Sequence, residues 1–422
     1  MCSASKLNEP VTSTSKNNLR KTKQHPLIHT SPNRNIHQIL GTTPEEIDTR
    51  GQGSDRYILM VVIMLLSFGS LAVYSSIAFF AQNNDTSALE MITRHLVKIG
   101  IAVVVILLGS KVNYHTIAKL SRPFMVVSLL LLVMVLVFGE EQFGAKRWLS
   151  IGGFGFQPST VAAVSLIIHV SVLLTEKQAY IKDFQRAFMP IMIWVFITCA
   201  LIGIEDFSTA GLLMGICLIL MFVGRISVVQ LGTMVLLAVF GGFLLINQSA
   251  TRQDRIEQYL GQIKQIETER LLDGTGRQAQ QAHIAIAQGE ITGVGIGKST
   301  QRDFLPTPYN DFIFAIIAEE YGLLGAATLI ALFVFLLIRG VAFVARNAED
   351  YLGTLLALGC TLYLCLYGFV NAAVASGLFP VTGLPMPFVS YGGTNLLFAG
   401  AVVGLLLNIS KHKKDRRPLF YA

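Results

Sequence analysis

The chain has 422 residues, with 33 Lys plus Arg against 26 Asp plus Glu, and charged residues make up only 14% of it, where an ordinary soluble domain carries about 25%. Apolar residues reach 52% and gather into blocks such as 57–80, 123–138, 228–246 and 312–338, too long and uniform for helices with one wet face, so most soluble folds are excluded. Cys2 stands in a polar segment and Cys199, Cys217, Cys360 and Cys365 lie inside apolar blocks with no paired spacing, which excludes a disulfide framework or a cysteine metal site.

Residues 1–56 are rich in Ser, Thr, Asn, Lys and Pro with little apolar clustering, and are expected to form a disordered tail. No short apolar core or small-residue cleavage site follows their basic residues, so the first span is expected to be retained. Ten spans follow, at about 57–80, 94–110, 123–138, 158–174, 188–204, 207–223, 228–247, 310–338, 352–374 and 389–408. The expected fold is an all-α polytopic membrane protein with about ten transmembrane helices. Its membrane domain covers 57–410, and a basic tail of 411–422 follows.

An even span count puts both termini on one side. With that side cytoplasmic, the short inner loops and C-tail carry 14 Lys and Arg, whereas the short outer loops carry four, Arg94, Lys98, Lys146 and Arg147. The positive-inside rule therefore predicts N-in, C-in, with 249–308 as a large extracytoplasmic loop. Nearly all carboxylates fall in loops. The exceptions are Asp311, Glu319 and Glu320 in or at the mouth of the eighth span, and Glu205 and Asp206 at the turn between the fifth and sixth. A carboxylate at membrane depth faces a cavity or a partner; for Glu319 and Glu320, internal polar contacts or an ion pair are the plainer reading.

In the long loop, Ile256, Tyr259, Leu260, Ile263 and Ile266 recur at helical spacing, predicting an amphipathic helix that lies on the membrane face or packs on the protein's own loops. The stretch GEITGVGIGKST mimics a phosphate loop but has Thr292 where a Walker A needs Gly. The last outer turn, 377–397, packs Pro380, Pro385, Pro387, Gly383, Gly392 and Gly393 between two spans, predicting irregular, re-entrant backbone received by protein or a wet cavity.

Six segments resemble the SEDS family (shape, elongation, division and sporulation), whose members include FtsW and RodA: GAKRWLSIGGFGFQPS (144–159), IKDFQRAFMP (181–190), EDFSTA (205–210), GVGIGKSTQRDFLP (293–306), NDFIFAIIAEEYGLLG (310–325) and FPVTGLPMPFVSYGGTNLL (379–397). The resemblance implies a peptidoglycan glycosyltransferase that polymerises lipid II at the outer face of the bacterial cytoplasmic (inner) membrane. The family's essential Asp falls on Asp311 and its second turn Asp on Asp206. Its basic pair falls on Lys146 and Arg147, and its SYGG corner on Ser390, Tyr391, Gly392 and Gly393. The chain departs from the family pattern at Thr307 and Tyr309, where Glu and His are usual, and at Thr160 and Ala163, where Glu and Lys are usual. The segment PVTG resembles RodA-type members; the opening of the first span and the long tail resemble FtsW, the type favoured here.

On this reading Asp311 is the base for the acceptor's sugar hydroxyl, and Arg147 and Lys146, with Arg302, oppose the leaving diphosphate. A divalent cation such as Mg2+, held by Asp206 and Asp311, is an alternative carrier of that positive charge. The implied partners are lipid II, a single-pass transpeptidase penicillin-binding protein and other divisome proteins, with no nucleic acid. A lipid II flippase or a noncatalytic scaffold would also carry buried carboxylates and a broken helix. The charge asymmetry predicts that a Cys introduced at Gln265 reacts with a membrane-impermeant thiol reagent in intact cells. Reaction only after the membrane is broken reverses the topology.

Overall fold

The computed structural model describes residues 53–83, 88–142, 145–151, 154–263, 274–305 and 308–413. The expected tail lies almost wholly outside these residues, as do Ile266 and residues 414–422. The helices are α1 (Arg56–Asn83), α2 (Ala88–Gly109), a short α3 (Tyr114–Lys119), α4 (Ser121–Phe138), α5 (Pro158–Glu176), α6 (Met189–Glu205), α7 (Phe207–Val223) and α8 (Val228–Asn247). They continue with α9 (Ala250–Ile263), α10 (Gly274–Gln288), α11 (Ile313–Ile338), α12 (Tyr351–Ala375) and α13 (Gly393–Lys411). Among the described residues nine helices are long and apolar enough to cross a membrane, and α7, with 17 residues, is a shorter apolar tenth. The ten expected spans match these one for one. Two begin several residues later than expected, α11 at Ile313 and α13 at Gly393, because the preceding segments form turns pinned by side chains.

Between lipid and helix there is little hydrophobic gain, so close packing of small residues must draw helices together. A Cβ on Gly109 of α2 would stand 3.2 Å from Gly404 Cα of α13, and one on Gly400 would stand 3.0 Å from the Ala102 carbonyl. The helices α5, α12 and α13 are buried for most of their length, whereas α2 and α8 turn broad apolar faces outward. The four cysteines in apolar blocks are buried and free.

Polar networks close the two ends. Asp55 Oδ1 accepts from the Tyr57 and Ile58 amides at the start of α1, its Oδ2 meets Arg339 Nε at 2.8 Å, and its own amide donates to Ser410 Oγ. Asp350 caps α12 through the Gly353 amide and also accepts from the Tyr114 hydroxyl. Residues 55 and 410 therefore share one end, as an even number of crossings requires. At the other end, β1 (Glu140–Gln142), β2 (Ala145–Ile151) and β3 (Phe154–Phe156) form an antiparallel sheet in which Glu140 faces Trp148 and Leu149 faces Phe156.

The residues read as a failed phosphate loop have a structural task. About a third of the way along α11, Gly322 adopts φ +67° and interrupts the helix. The segment after α10 fills the gap: Val294 and Gly295 amides donate to the Glu319 and Glu320 carbonyls, and the Leu323 and Leu324 amides donate to the Glu290 and Ile291 carbonyls. Glu319, fully buried, accepts from the Thr300 amide at 2.8 Å and from Ser299 Oγ, and Glu320 from Ser75 Oγ of α1. The plainer reading of this acid pair, internal polar contacts, describes their surroundings.

The strap tolerates no side chain at Gly293. A Cβ on Gly293, at φ +81°, would fall 2.2 Å from the Glu320 carbonyl, so Gly293→Ala is expected to destabilise by about 3 kcal/mol or more. Gly211 in α7 has open space around it, and Gly211→Ala is expected to be neutral or slightly stabilising. Thermal melting of both purified variants in detergent checks the contrast.

Candidate active site

Asp311 sits in the turn just before α11, and its backbone is held from two sides. From the corner between α12 and α13, Ser390 Oγ donates to the Asn310 carbonyl at 2.7 Å while accepting from the Met386 amide at 2.8 Å. The Tyr391 amide donates to the Tyr309 carbonyl at 2.9 Å. From α12, Asn371 Nδ2 spends its two hydrogens on the carbonyls of Asp311 (2.9 Å) and Leu384 (2.8 Å). The carboxylate faces Gly383, whose φ of +70° favours glycine and where a Cβ would stand 3.6 Å from Asp311 Oδ2. Burial first, then the neighbouring Tyr391 and the Asp311 charge, raise the pKa of the Tyr309 phenol.

The second acid and the basic residues gather around the end of α6. That helix leaves its last carbonyls without intrahelical donors, and two guanidinium groups supply them. Arg147 of β2 donates Nε to the Glu205 carbonyl at 3.0 Å, and Arg252 of α9 donates to the carbonyls of Gly203 (3.0 Å) and Ile204 and, from the end of α8, Leu245 (2.8 Å). Positive charge there also complements the negative end of the helix dipole. Asp206, 5% exposed, caps the next helix by accepting from the Thr209 amide at 3.1 Å, and its other oxygen lies 3.7 Å from Arg147 Nη1.

One turn beyond Arg252 stands Arg255, whose pKa is lowered by burial first and then by the charge of Arg147, with the charges of Asp206 and Asp311 opposing that shift. Arg255 also borders a cleft lined by Gln258, Ala279, Gly377, Pro380 and Val381. The helix α9 packs on the protein's own loops, with the Tyr259 hydroxyl donating to the Leu378 carbonyl at 2.7 Å.

Of the residues expected from sequence, Arg147 and Asp206 pair at the end of α6, and Ser390 and Tyr391 fix the turn that carries Asp311. Gly392 and Gly393 open α13. Arg302 is elsewhere: it donates to the Ser75 carbonyl at 3.1 Å, lies 3.9 Å from Glu320, and ties α1 to α11. The side chain of Lys146 lies outside the described residues. Arg255 and Asn371 were not singled out in the sequence. The available signals were the Arg252/Arg255 spacing on one helix face and a lone Asn in the apolar block of α12.

A family model for FtsW, RodA and SpoVE, described as cell cycle protein, matches residues 55–415. The chain is 32% identical over 370 residues to stage V sporulation protein E of Bacillus subtilis, covering 87% of this chain and 99% of that one. It is 34% identical over 361 residues to a probable peptidoglycan glycosyltransferase FtsW of Trichlorobacter lovleyi, covering 84% and 93%. Among solved structures, it superposes on a chain from a peptidoglycan synthase complex that coordinates polymerization and crosslinking, with TM-score 0.68, 24% identity and coverage of 85% and 97%. It also superposes on the rod shape determining protein RodA of Thermus thermophilus, with TM-score 0.62, 22% identity and coverage of 86% and 98%.

The two jobs of Asp206 separate by substitution. Asp206→Asn keeps an oxygen for the Thr209 amide, whereas Asp206→Ala loses both cap and charge, so the Ala variant is expected to be less stable than the Asn variant by about 1 kcal/mol. Melting curves of the two purified proteins measure the difference.

Proposed function

The chain belongs to the FtsW/RodA/SpoVE family of cell cycle proteins, the SEDS peptidoglycan glycosyltransferases, and we propose that it polymerises lipid II with Asp311 as general base. The observation that carries this reading is the Asp311 turn, whose backbone Asn371 and Ser390 hold fixed while its carboxylate faces Gly383. The acceptor's sugar hydroxyl attacks the anomeric carbon of the donor, and its proton passes to the Asp311 carboxylate as the new glycosidic bond forms. The bond from that carbon to the diphosphate breaks, and the diphosphate leaves with the electron pair. Arg147 and Arg255 oppose the charge that develops on it.

A divalent cation fits the donor set poorly. Asp206 spends one oxygen on the cap and the other beside Arg147, and among the described residues no three His, Cys, Asp or Glu side chains converge. The reading therefore routes no step through a metal.

The identities of 32–34% to FtsW relatives over most of the chain support the FtsW type over the RodA type. A crosslinking penicillin-binding protein is the partner this reading assigns, by analogy with the peptidoglycan synthase complex. The cytoplasmic membrane, with the Asp311 end outward, is the location it requires.

Asp311→Asn keeps volume and polarity but loses the basic oxygen, and is expected to lower polymerisation of lipid II in detergent by about 100-fold or more at an unchanged melting temperature. Comparable polymer from both proteins overturns the base assignment, and absence of polymer from wild type returns the flippase. Arg147→Lys is expected to retain more turnover than Arg147→Ala, because charge opposite the diphosphate persists without the bidentate fork. Equal activity of both variants with wild type removes Arg147 from the site.

A further inference from the structure

We infer that Lys98 on α2, together with the Tyr391 ring and the start of α13, forms a phosphate-binding subsite that seats the diphosphate of a lipid-linked substrate beside the Asp311 turn. The inference rests on the polymerase reading above. Lys98 Nζ stands 4.3 Å from the centroid of the Tyr391 ring, and among the described residues it has no ion pair with a carboxylate. One turn earlier on the same face of α2, His95 packs on the same ring with centroids 5.3 Å apart. His95 is only 6% exposed, and its Nδ1 meets no hydrogen-bond partner among the described residues.

The start of α13 adds a third element. Gly392 precedes the helix with no side-chain cap, and a Cβ on Gly393 would stand 3.5 Å from Lys98 Cε. An ammonium group and a buried imidazole thus meet on one ring, the start of α13 lies beside the ammonium stem, and among the described residues no carboxylate pairs with that ammonium. Such a set suits a phosphate group, whose oxygens accept from ammonium and helix N-terminal amides together. Unbalanced positive charge at membrane depth is otherwise costly.

The location matches a lipid-linked anion. On its other faces α2 exposes Leu96, Val97 and Ile101, a surface that suits hydrocarbon and leaves a polyprenyl chain in the bilayer. On the inner side, Tyr391 stacks edge-on against Tyr309 at 5.5 Å and its amide holds the Tyr309 carbonyl, two residues before Asp311. Lys98 therefore reaches the reacting region by a route different from that of Arg147 and Arg255, which approach from the α6 end. In the sequence it read only as one of four outer-loop charges.

The test uses the purified full chain in detergent, as wild type, Lys98→Ala, Lys98→Gln and Lys98→Arg. Binding of undecaprenyl diphosphate is followed by thermal stabilisation, and turnover by polymerisation of lipid II. Lys98→Ala and Lys98→Gln are expected to weaken undecaprenyl diphosphate binding and raise KM about tenfold or more, with kcat moving less than about threefold, and Lys98→Arg to stay within about threefold of wild type. Phosphatidylglycerol is expected to bind all four proteins alike. Unchanged undecaprenyl diphosphate affinity in Lys98→Ala and Lys98→Gln overturns the subsite. An equal dependence of phosphatidylglycerol binding on Lys98 also overturns it, making the residue a general headgroup contact. Lys98→Gln decides if Lys98→Ala melts early, because its stem still covers Tyr391. Asp311→Asn in parallel separates the two readings: it is expected to lose turnover yet bind undecaprenyl diphosphate normally. Lys98-dependent binding in a wild-type protein that makes no polymer refutes the polymerase alone.

Discussion

Every backbone amide and carbonyl at membrane depth must find a partner inside the protein, because hydrocarbon offers none and each orphan costs several kcal/mol. The break in α11 at Gly322 makes that constraint visible. Four backbone bonds to residues 290–295 replace those the helix gives up, and the close approach needs glycine at 293 and 322. Once the strap is seated, Ser299, Thr300 and Gln301 follow it into the membrane region and surround Glu319. Arg302 then reaches Ser75 and Glu320. The long loop between α8 and α11 is thereby tied to the helix that begins beside Asp311.

The same logic organises the site. Three segments that cannot be helical, the end of α6, the turn before α11 and the corner between α12 and α13, leave polar backbone near one end of the bundle. Side chains complete them: Arg147 and Arg252 at α6, Asn371 and Ser390 at the turn, and Asp206 at the start of α7. On the proposed reading, the groups that satisfy the backbone are also those that offer charge and hydrogen-bonding capacity to a substrate. That reading couples fold and chemistry: a guanidinium that holds a helix end would already be fixed when a diphosphate arrives, so little ordering would remain to be done on binding.

Charge is distributed unevenly between the two clusters. Around Glu319 and Glu320, buried acid is matched by hydroxyls, amides and the Arg302 guanidinium, which gives a rigid joint between α1 and α11. Around Asp206 and Asp311, three arginines face three carboxylates, Glu205 included, and Lys98 adds a further cation across Tyr391. An excess of cations at the second cluster suits an anionic substrate; the balance of the first suits structure. Sequence alone ranked Arg302 with the substrate-facing residues because it could not tell these environments apart.

The ten spans, their order and the shared side of the two termini were legible from apolar block length and loop charge, because hydrocarbon thickness and the cost of burying charge act on each segment locally. Asp311 and Asp206 were legible for the same reason, as carboxylates where carboxylates are costly, and the SEDS resemblance gave them roles. Irregularity of the Pro- and Gly-rich corner was also legible, since those residues cannot continue a helix. Tertiary structure alone decided that α9 packs on the protein's own loops, that the Gly-rich segment is a strap for a broken helix, that Arg302 meets Glu320, that Asn371 holds the Asp311 carbonyl, and that Lys98 lies against the Tyr391 ring. Each of these depends on which partner a polar group meets across tens or hundreds of residues. Local composition sets the need for a partner, and only the packed fold supplies its identity.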